Sequence, residues 1–124
     1  MSANIFRQVS AASTNLTRIK QFGANLIGGI IINTNAAIRY VKLYWFLPGG
    51  PQYPNSNSGD TPTVGTTPVS LTLEIPASGQ LVLDQVAQGV SMKGDLWMAT
   101  TVNAVDSDAT AVGAGDLITQ LFVE

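Results

Sequence analysis

The sequence predicts an all-β fold: an antiparallel two-sheet β-sandwich of about eight strands, with the jelly roll as one of its arrangements. Three observations predict it. Apolar and polar residues alternate with a period of two in short runs, as in half-buried strands. Turn-forming clusters of Gly, Pro, Asn, Asp and Ser separate these runs at short intervals. No stretch of useful length has the 3.6-residue spacing of an amphipathic helix. The chain has 124 residues, which suits one domain with its own core and is too short for two.

Residues 1–21 are polar, and Ile5, Arg7 and Val9 alternate with Phe6 and Gln8. Leu16, Arg18 and Lys20 alternate in the same way, so residues 1–20 read as an N-terminal arm or edge strand ahead of a sandwich spanning 21–124. Asn25 to Asn33 carries Ile30, Ile31 and Ile32, all strong strand formers, and Gly28-Gly29 marks a bulge or a close backbone approach. Asn33-Thr-Asn-Ala is a turn into the next strand, 38–47. There Val41, Leu43 and Trp45 share one face, and Arg39, Lys42 and Tyr44 are expected around them with basic and aromatic groups left at the surface. Trp45 is expected in the core, and Tyr40 and Tyr44 along a subunit contact.

Residues 48–68 hold five of the six prolines and form a long loop, in which Tyr53 is a candidate contact residue. Leu71, Leu73 and Ile75 then alternate with Thr72 and Glu74, and Pro76-Ala-Ser-Gly closes that strand as a turn. Leu81 and Leu83 suggest the returning strand. Gln88-Gly89 and Lys93-Gly94-Asp95 are further turns, and Leu96-Trp-Met-Ala-Thr-Thr-Val is a strand. Asp106 to Asp116 is a polar connection to the last strand, Leu117 to Val123.

Composition narrows the function. The chain has no cysteine and no histidine, which removes cysteine nucleophiles, Ser-His-Asp triads, disulfides and zinc sites with nitrogen or sulfur ligands. An enzyme would need carboxylates, Lys93 or a hard metal. No motif singles out two acids for glycosidase chemistry among Glu74, Asp84 and Asp95. Asp106, Asp108 and Asp116 are an oxygen set of the kind calcium takes, but their spacing matches no EF-hand, and Asp is also a good turn former. Gly49-Gly50 and Gly113-Ala-Gly115 lack the helix and lysine of a phosphate cradle. Asn15-Leu-Thr17 fits the glycosylation triplet, which has meaning only in a secretory pathway. No enzyme activity, cofactor or metal is expected.

Net charge is −2, yet residues 1–42 hold Arg7, Arg18, Lys20, Arg39 and Lys42 and no acid, while all eight acids lie in 43–124 beside Lys93. Five dispersed bases in a chain that is acidic overall argue only weakly for nucleic acid, and none is expected as a partner. No run approaches the ~20 apolar residues that a membrane helix needs. Met1-Ser-Ala-Asn-Ile-Phe-Arg lacks the basic start and apolar core of a cleaved leader, so export by one is not expected.

The runs Asn35-Ala-Ala-Ile-Arg-Tyr-Val-Lys-Leu-Tyr and Thr61-Pro-Thr-Val-Gly-Thr-Thr-Pro-Val-Ser-Leu-Thr-Leu-Glu-Ile-Pro-Ala-Ser-Gly resemble a family of small virion proteins of tailed bacteriophages. So do Ala99-Thr-Thr and Asp106-Ser-Asp-Ala-Thr-Ala-Val-Gly-Ala-Gly-Asp. The resemblance covers roughly residues 25–123 and rests on scaffold turns. Residues 46–60 look like an insertion in that pattern, and Tyr44-Trp-Phe is unusually aromatic for it.

The resemblance implies a structural role on the particle and leaves head, tail or fibre open; the leading expectation is a capsid decoration (cement) protein on the outer surface of the virion head. Its partners would be the major capsid protein and copies of itself; a dimer or a trimer is the default for a small sandwich with exposed edge strands, with a trimer favoured. The candidate partner-binding residues are Arg7, Arg18, Lys20, Tyr40, Tyr44 and Tyr53, with Arg7, Arg18 and Lys20 in an anchoring arm. The alternatives are a tail or tail-fibre component whose 48–68 loop meets a receptor, and a carbohydrate-binding module using Tyr40, Tyr44 or Tyr53.

Overall fold

The computed structural model describes residues 4–21, 23–46, 61–83, 90–92 and 94–124. Tyr53, Asp84, Gln88-Gly89, Lys93 and residues 48–60 of the long loop lie outside them. The strands are β1 (Asn4–Val9), β2 (Thr17–Lys20), β3 (Ala24–Asn33), β4 (Arg39–Phe46), β5 (Leu71–Ile75), β6 (Gln80–Leu83), β7 (Val90–Met92), β8 (Asp95–Thr101) and β9 (Leu117–Val123). No helix among the described residues is long and apolar enough to cross a membrane.

Every described strand pairing is antiparallel, and the strands form two sheets. One has the order β1-β9-β3-β6, and β7 also pairs with β3; the other has the order β2-β8-β4-β5. β6 pairs with residues 29–32 of β3 and β7 with residues 24–26, so the two short strands share one edge and one strand position. Four nested pairs result, β1 with β9, β2 with β8, β3 with β6/β7, and β4 with β5. That is a single long hairpin rolled up until β9 meets β3 and β8 meets β4, which is the jelly roll.

Alternation along the strands builds the core between the sheets. Leu26 and Ile31 of β3 face Val41, Leu43 and Trp45 of β4, with Leu96 and Met98 of β8 and Leu117, Leu121 and Val123 of β9. Each such side chain contributes about 1.5–3 kcal/mol when removed from water. Trp45 is buried there, as expected. Val112 also reaches this core from the connection between β8 and β9, which on sequence reads as merely polar.

The Pro76–Gly79 turn does not return its strand as a hairpin. It carries the chain from β5 in one sheet to β6 in the other. The turn lies beside the β3–β4 connection, and polar groups join the two. Asn33 is buried and its Nδ2 donates to the carbonyls of Ala37 (2.9 Å), Pro76 (3.1 Å) and Ile75 (3.3 Å). The backbone N–H of Ser78 donates to the Asn35 carbonyl at 2.7 Å. The arches β1–β2 and β8–β9 meet at the same end, where the Ser10 hydroxyl donates to the Gly113 carbonyl and accepts from the Leu117 N–H.

β1 and β2 are edge strands, one in each sheet. β1 pairs with β9 along its whole length, and β2 pairs with β8 across a bulge. The Gly28-Gly29 pair sits at the register shift between β3 and β9. A Cβ on Gly29 would lie 2.3 Å from the Gln120 carbonyl oxygen and 3.0 Å from the Leu121 Cα, both backbone atoms, and its φ is +151°. Gly29→Ala should therefore force β3 and β9 apart and lower unfolding stability by about 2–4 kcal/mol. Denaturant unfolding checks this; an unchanged midpoint would contradict the close approach.

Candidate interaction surface

The two sheets treat their outward faces differently. On the β2-β8-β4-β5 sheet the outward rows are Arg18, Trp97 and Tyr44, then Ala99, Lys42 and Thr72, then Thr101, Tyr40 and Glu74. The chain covers much of this face itself. Val64 from the end of the long loop, Val69 just after it and Leu16 from the β1–β2 arch pack on Tyr44, Ala99 and Trp97. The 102–110 segment lies across the middle row, and the Val69 N–H donates to Asp106 Oδ2 at 3.0 Å, tying the two covering segments together.

Lys42 and Tyr44 are therefore not surface groups, contrary to the expectation from alternation; both are fully buried. The cause is the folding back of the two loops over a face that would otherwise meet water. Lys42 Nζ donates to the carbonyls of Val105 (2.7 Å) and Asp108 (3.1 Å) and so clamps the 102–110 segment to the sheet. Burial lowers the pKa of its ammonium, against the opposing fields of Asp108 and Asp106. The Tyr44 hydroxyl is buried with no hydrogen-bond partner among the described residues. Burial, and then the Asp106 carboxylate, push its pKa up to about 12.

The remaining sequence candidates separate. Arg18 is half exposed, 3.7 Å from Asp95 and with its guanidinium 5.7 Å from the Trp97 ring centre. Lys20 Nζ donates to the Gly23 carbonyl. Tyr40 is half-buried and its hydroxyl lies 3.4 Å from Glu74 Oε1. Arg7 is exposed on the other sheet. The structure thus gathers Arg18 and Tyr44 around Trp97 and leaves Arg7 and Lys20 apart from them.

The three aspartates of the β8–β9 connection serve different loops. Among the described residues no three acidic side chains form a metal-sized cluster. Asp108 accepts from the Asn103 N–H and the Thr110 hydroxyl. Asp116 accepts from the Gly113 N–H (2.8 Å), Asn35 Nδ2 (3.2 Å) and Arg39 Nε (3.3 Å). Burial alone would raise the Asp116 pKa; these three donors outweigh it and hold the carboxyl below its usual 3.8. Asp95 lies 3.7 Å from Arg18, and Glu74 accepts from the Tyr40 hydroxyl at 3.4 Å.

The outward face of the β1-β9-β3-β6 sheet is different. Its rows are Ile5, Phe122 and Gly28, then Arg7, Gln120, Ile30 and Val82, then Val9, Ile118, Ile32 and Gln80. Ile5 is 72% exposed, Val9 and Val82 are each 48% exposed, and Phe122 is 39% exposed. Arg7 is the only charged residue in these three rows. An antiparallel sheet facing water normally shows polar residues there. A contiguous apolar patch of this kind marks an interaction surface. The sequence signal was available in the unbroken Ile30-Ile31-Ile32, since a strand apolar at consecutive positions has two apolar faces.

No family model matches this chain, nor does any curated protein or solved structure.

Two outcomes follow from the buried polar groups. Asp116→Asn should cost about 2–3 kcal/mol by leaving the mostly buried Arg39 without its counter-charge. The wild-type contribution is present above pH 3.8, the unfolded value, and is lost as pH falls below it through the depressed folded value. A stability gap between the two proteins that stays the same from pH 7 down into acid would contradict this. Tyr44→Phe should raise stability by about 1 kcal/mol, because it deletes an unpartnered buried hydroxyl. In the wild type the folded-state phenol keeps its proton longer than the unfolded one. The variant should therefore also lack the stability loss that the wild type shows between pH 10 and about 12. Unfolding at pH 7 and pH 11 checks both parts.

Proposed function

We propose that this protein is a structural component of a bacteriophage virion, a decoration or cement protein bound to the outside of the assembled head. The observation that carries the reading is the contrast between an internally braced polar chemistry and an exposed apolar sheet face. Lys42, Asn33, Arg39, Asp108 and Asp116 all hold the chain's own loops and arches. What the molecule offers outward is a rigid apolar surface, which suits holding other proteins together. The jelly roll recurs in viral capsid proteins, a fold-level analogy that adds to the sequence resemblance.

The mechanism is linkage. A protein that binds only the assembled lattice shifts the assembly equilibrium toward it, by about 2.7 kcal/mol per site at a free concentration of 100 Kd. The N-terminal strands supply the lattice contact. β1 and β2 are edge strands whose outer sides are unpaired among the described residues, and Arg7 and the exposed part of Arg18 stand beside them. Strand addition at such an edge gives hydrogen bonds, and the exposed part of Arg18 suits an acidic surface on the major capsid protein. Lys20, held by a backbone carbonyl, is a weaker contributor. The carbohydrate-binding alternative loses Tyr44, which is buried, and no specific observation favours a tail position.

The test mixes the purified chain with heads and tails separated from the particle that carries it. Saturable binding to heads, with a rise in the temperature at which they release their DNA, is the expected result. Binding to tails alone, or binding to heads with no such rise, would refute the cement role.

A further inference from the structure

The proposed capsid role does not say what meets the bare face of the β1-β9-β3-β6 sheet. We infer that its occupant is the same face of a second copy of this chain, packed about a two-fold axis, so that the protein is a dimer of sandwiches stacked sheet on sheet. Three arguments support this occupant.

The first is shape and chemistry. An apolar sheet face finds its best complement in another apolar sheet face about 10 Å away. The chain already uses that packing between its own two sheets. Seven of the outward side chains are apolar: Ile5, Val9, Ile30, Ile32, Val82, Ile118 and Phe122. Phe122 lies over Gly28, where a Cβ would meet its ring at 3.5 Å, so the ring rests against the sheet and the face stays low.

The second argument is charge. Arg7 stands in the edge strand, at the rim of the face, and the centre of the face holds no charge. Charge-free centres with aromatic residues, and arginine among the favoured polar residues, are the usual anatomy of a protein interface. Glu124 continues the outward row of β9, where Asn25 Nδ2 donates to it at 3.5 Å. Neither Arg7 nor Glu124 has an ion pair among the described residues. A face with one charge of each sign finds both complements on its own copy.

The third argument is area. Ile5 at 72%, Val9 and Val82 at 48% and Phe122 at 39% exposure supply most of the accessible area of the face, so two copies bury on the order of 1,000 Å², the size a specific interface should clear. The two-fold pair replaces the trimer favoured on sequence, because a flat face that meets itself closes after two copies.

The proposal is tested on the full chain in solution, without particles, so its failure and the failure of the cement reading are separable. Light scattering coupled to size exclusion should give twice the 13.0 kDa chain mass. The variants Val82→Glu and Phe122→Glu, each at an exposed position, should run as monomers with the wild-type circular dichroism spectrum. Because the chain has no cysteine, single-cysteine variants report contact cleanly. Gln120→Cys, near the centre of the face, should be captured as a covalent dimer by a short bis-maleimide, and Glu74→Cys on the other sheet should not. Three results would overturn the inference. One is a wild-type monomer at about 100 µM, far above the Kd of any stable dimer. The others are a trimer, and a dimer in which Glu74→Cys cross-links as well as Gln120→Cys.

Discussion

Both sheets of this jelly roll are built from strands with apolar or aromatic residues on their outward as well as their inward sides, and the rest of the structure follows from how each outward side is covered. Burying large side chains is the main favourable term in folding. A sheet with two apolar faces therefore needs a layer on each. The β2-β8-β4-β5 sheet obtains its outer layer from its own chain, through Val64, Val69, Leu16 and the 102–110 segment. The β1-β9-β3-β6 sheet has no such layer among the described residues, and that asymmetry gives the molecule an outside.

Covering the first sheet places polar groups where water does not reach, and each needs a partner. Lys42 meets this need by donating to two carbonyls of the segment above it. Its burial and the fixing of that segment are one event, since a charged amine under a loop is tolerable only while the loop's carbonyls face it. Tyr44 and Trp97 are exceptions: their rings complete the small outer core, while the Tyr44 hydroxyl and the Trp97 Nε1 have no partner among the described residues. At the arch end the same requirement fixes the roll. Asn33, Asn35, Arg39 and Asp116 join the three connections β3–β4, β5–β6 and β8–β9, which are far apart in sequence. The sheets cannot slide past one another without breaking these contacts.

Much of the fold was legible in the sequence because strand alternation is local. Val41, Leu43 and Trp45 point inward by parity alone, and they do so in the structure. Parity also set Lys42 and Tyr44 on the opposite side, correctly, but parity does not say what lies above that side. Their burial depends on contacts with residues twenty or more positions away. The Pro76–Gly79 turn was visible as a turn, yet a turn's residues do not encode whether the next strand joins the same sheet or the facing one. Asp116 illustrates the limit for sites. Its spacing from Asp106 and Asp108 suggested one oxygen cluster, whereas Arg39 and Asn35, about eighty residues earlier, determine what it does.

The bare sheet was legible too, in Ile30-Ile31-Ile32 and in the outward Ile5 and Val9, although only the register shows that these residues share one face with Ile118, Phe122 and Val82. The central claim is that this face is an interface of a virion component. The most direct measurement is a cryo-EM reconstruction of the particle that carries this chain. The account predicts density at regular positions on the head lattice, with the β1-β9-β3-β6 face buried in a protein contact. Density confined to the tail, or a chain on the head with that face open to solvent, would contradict it.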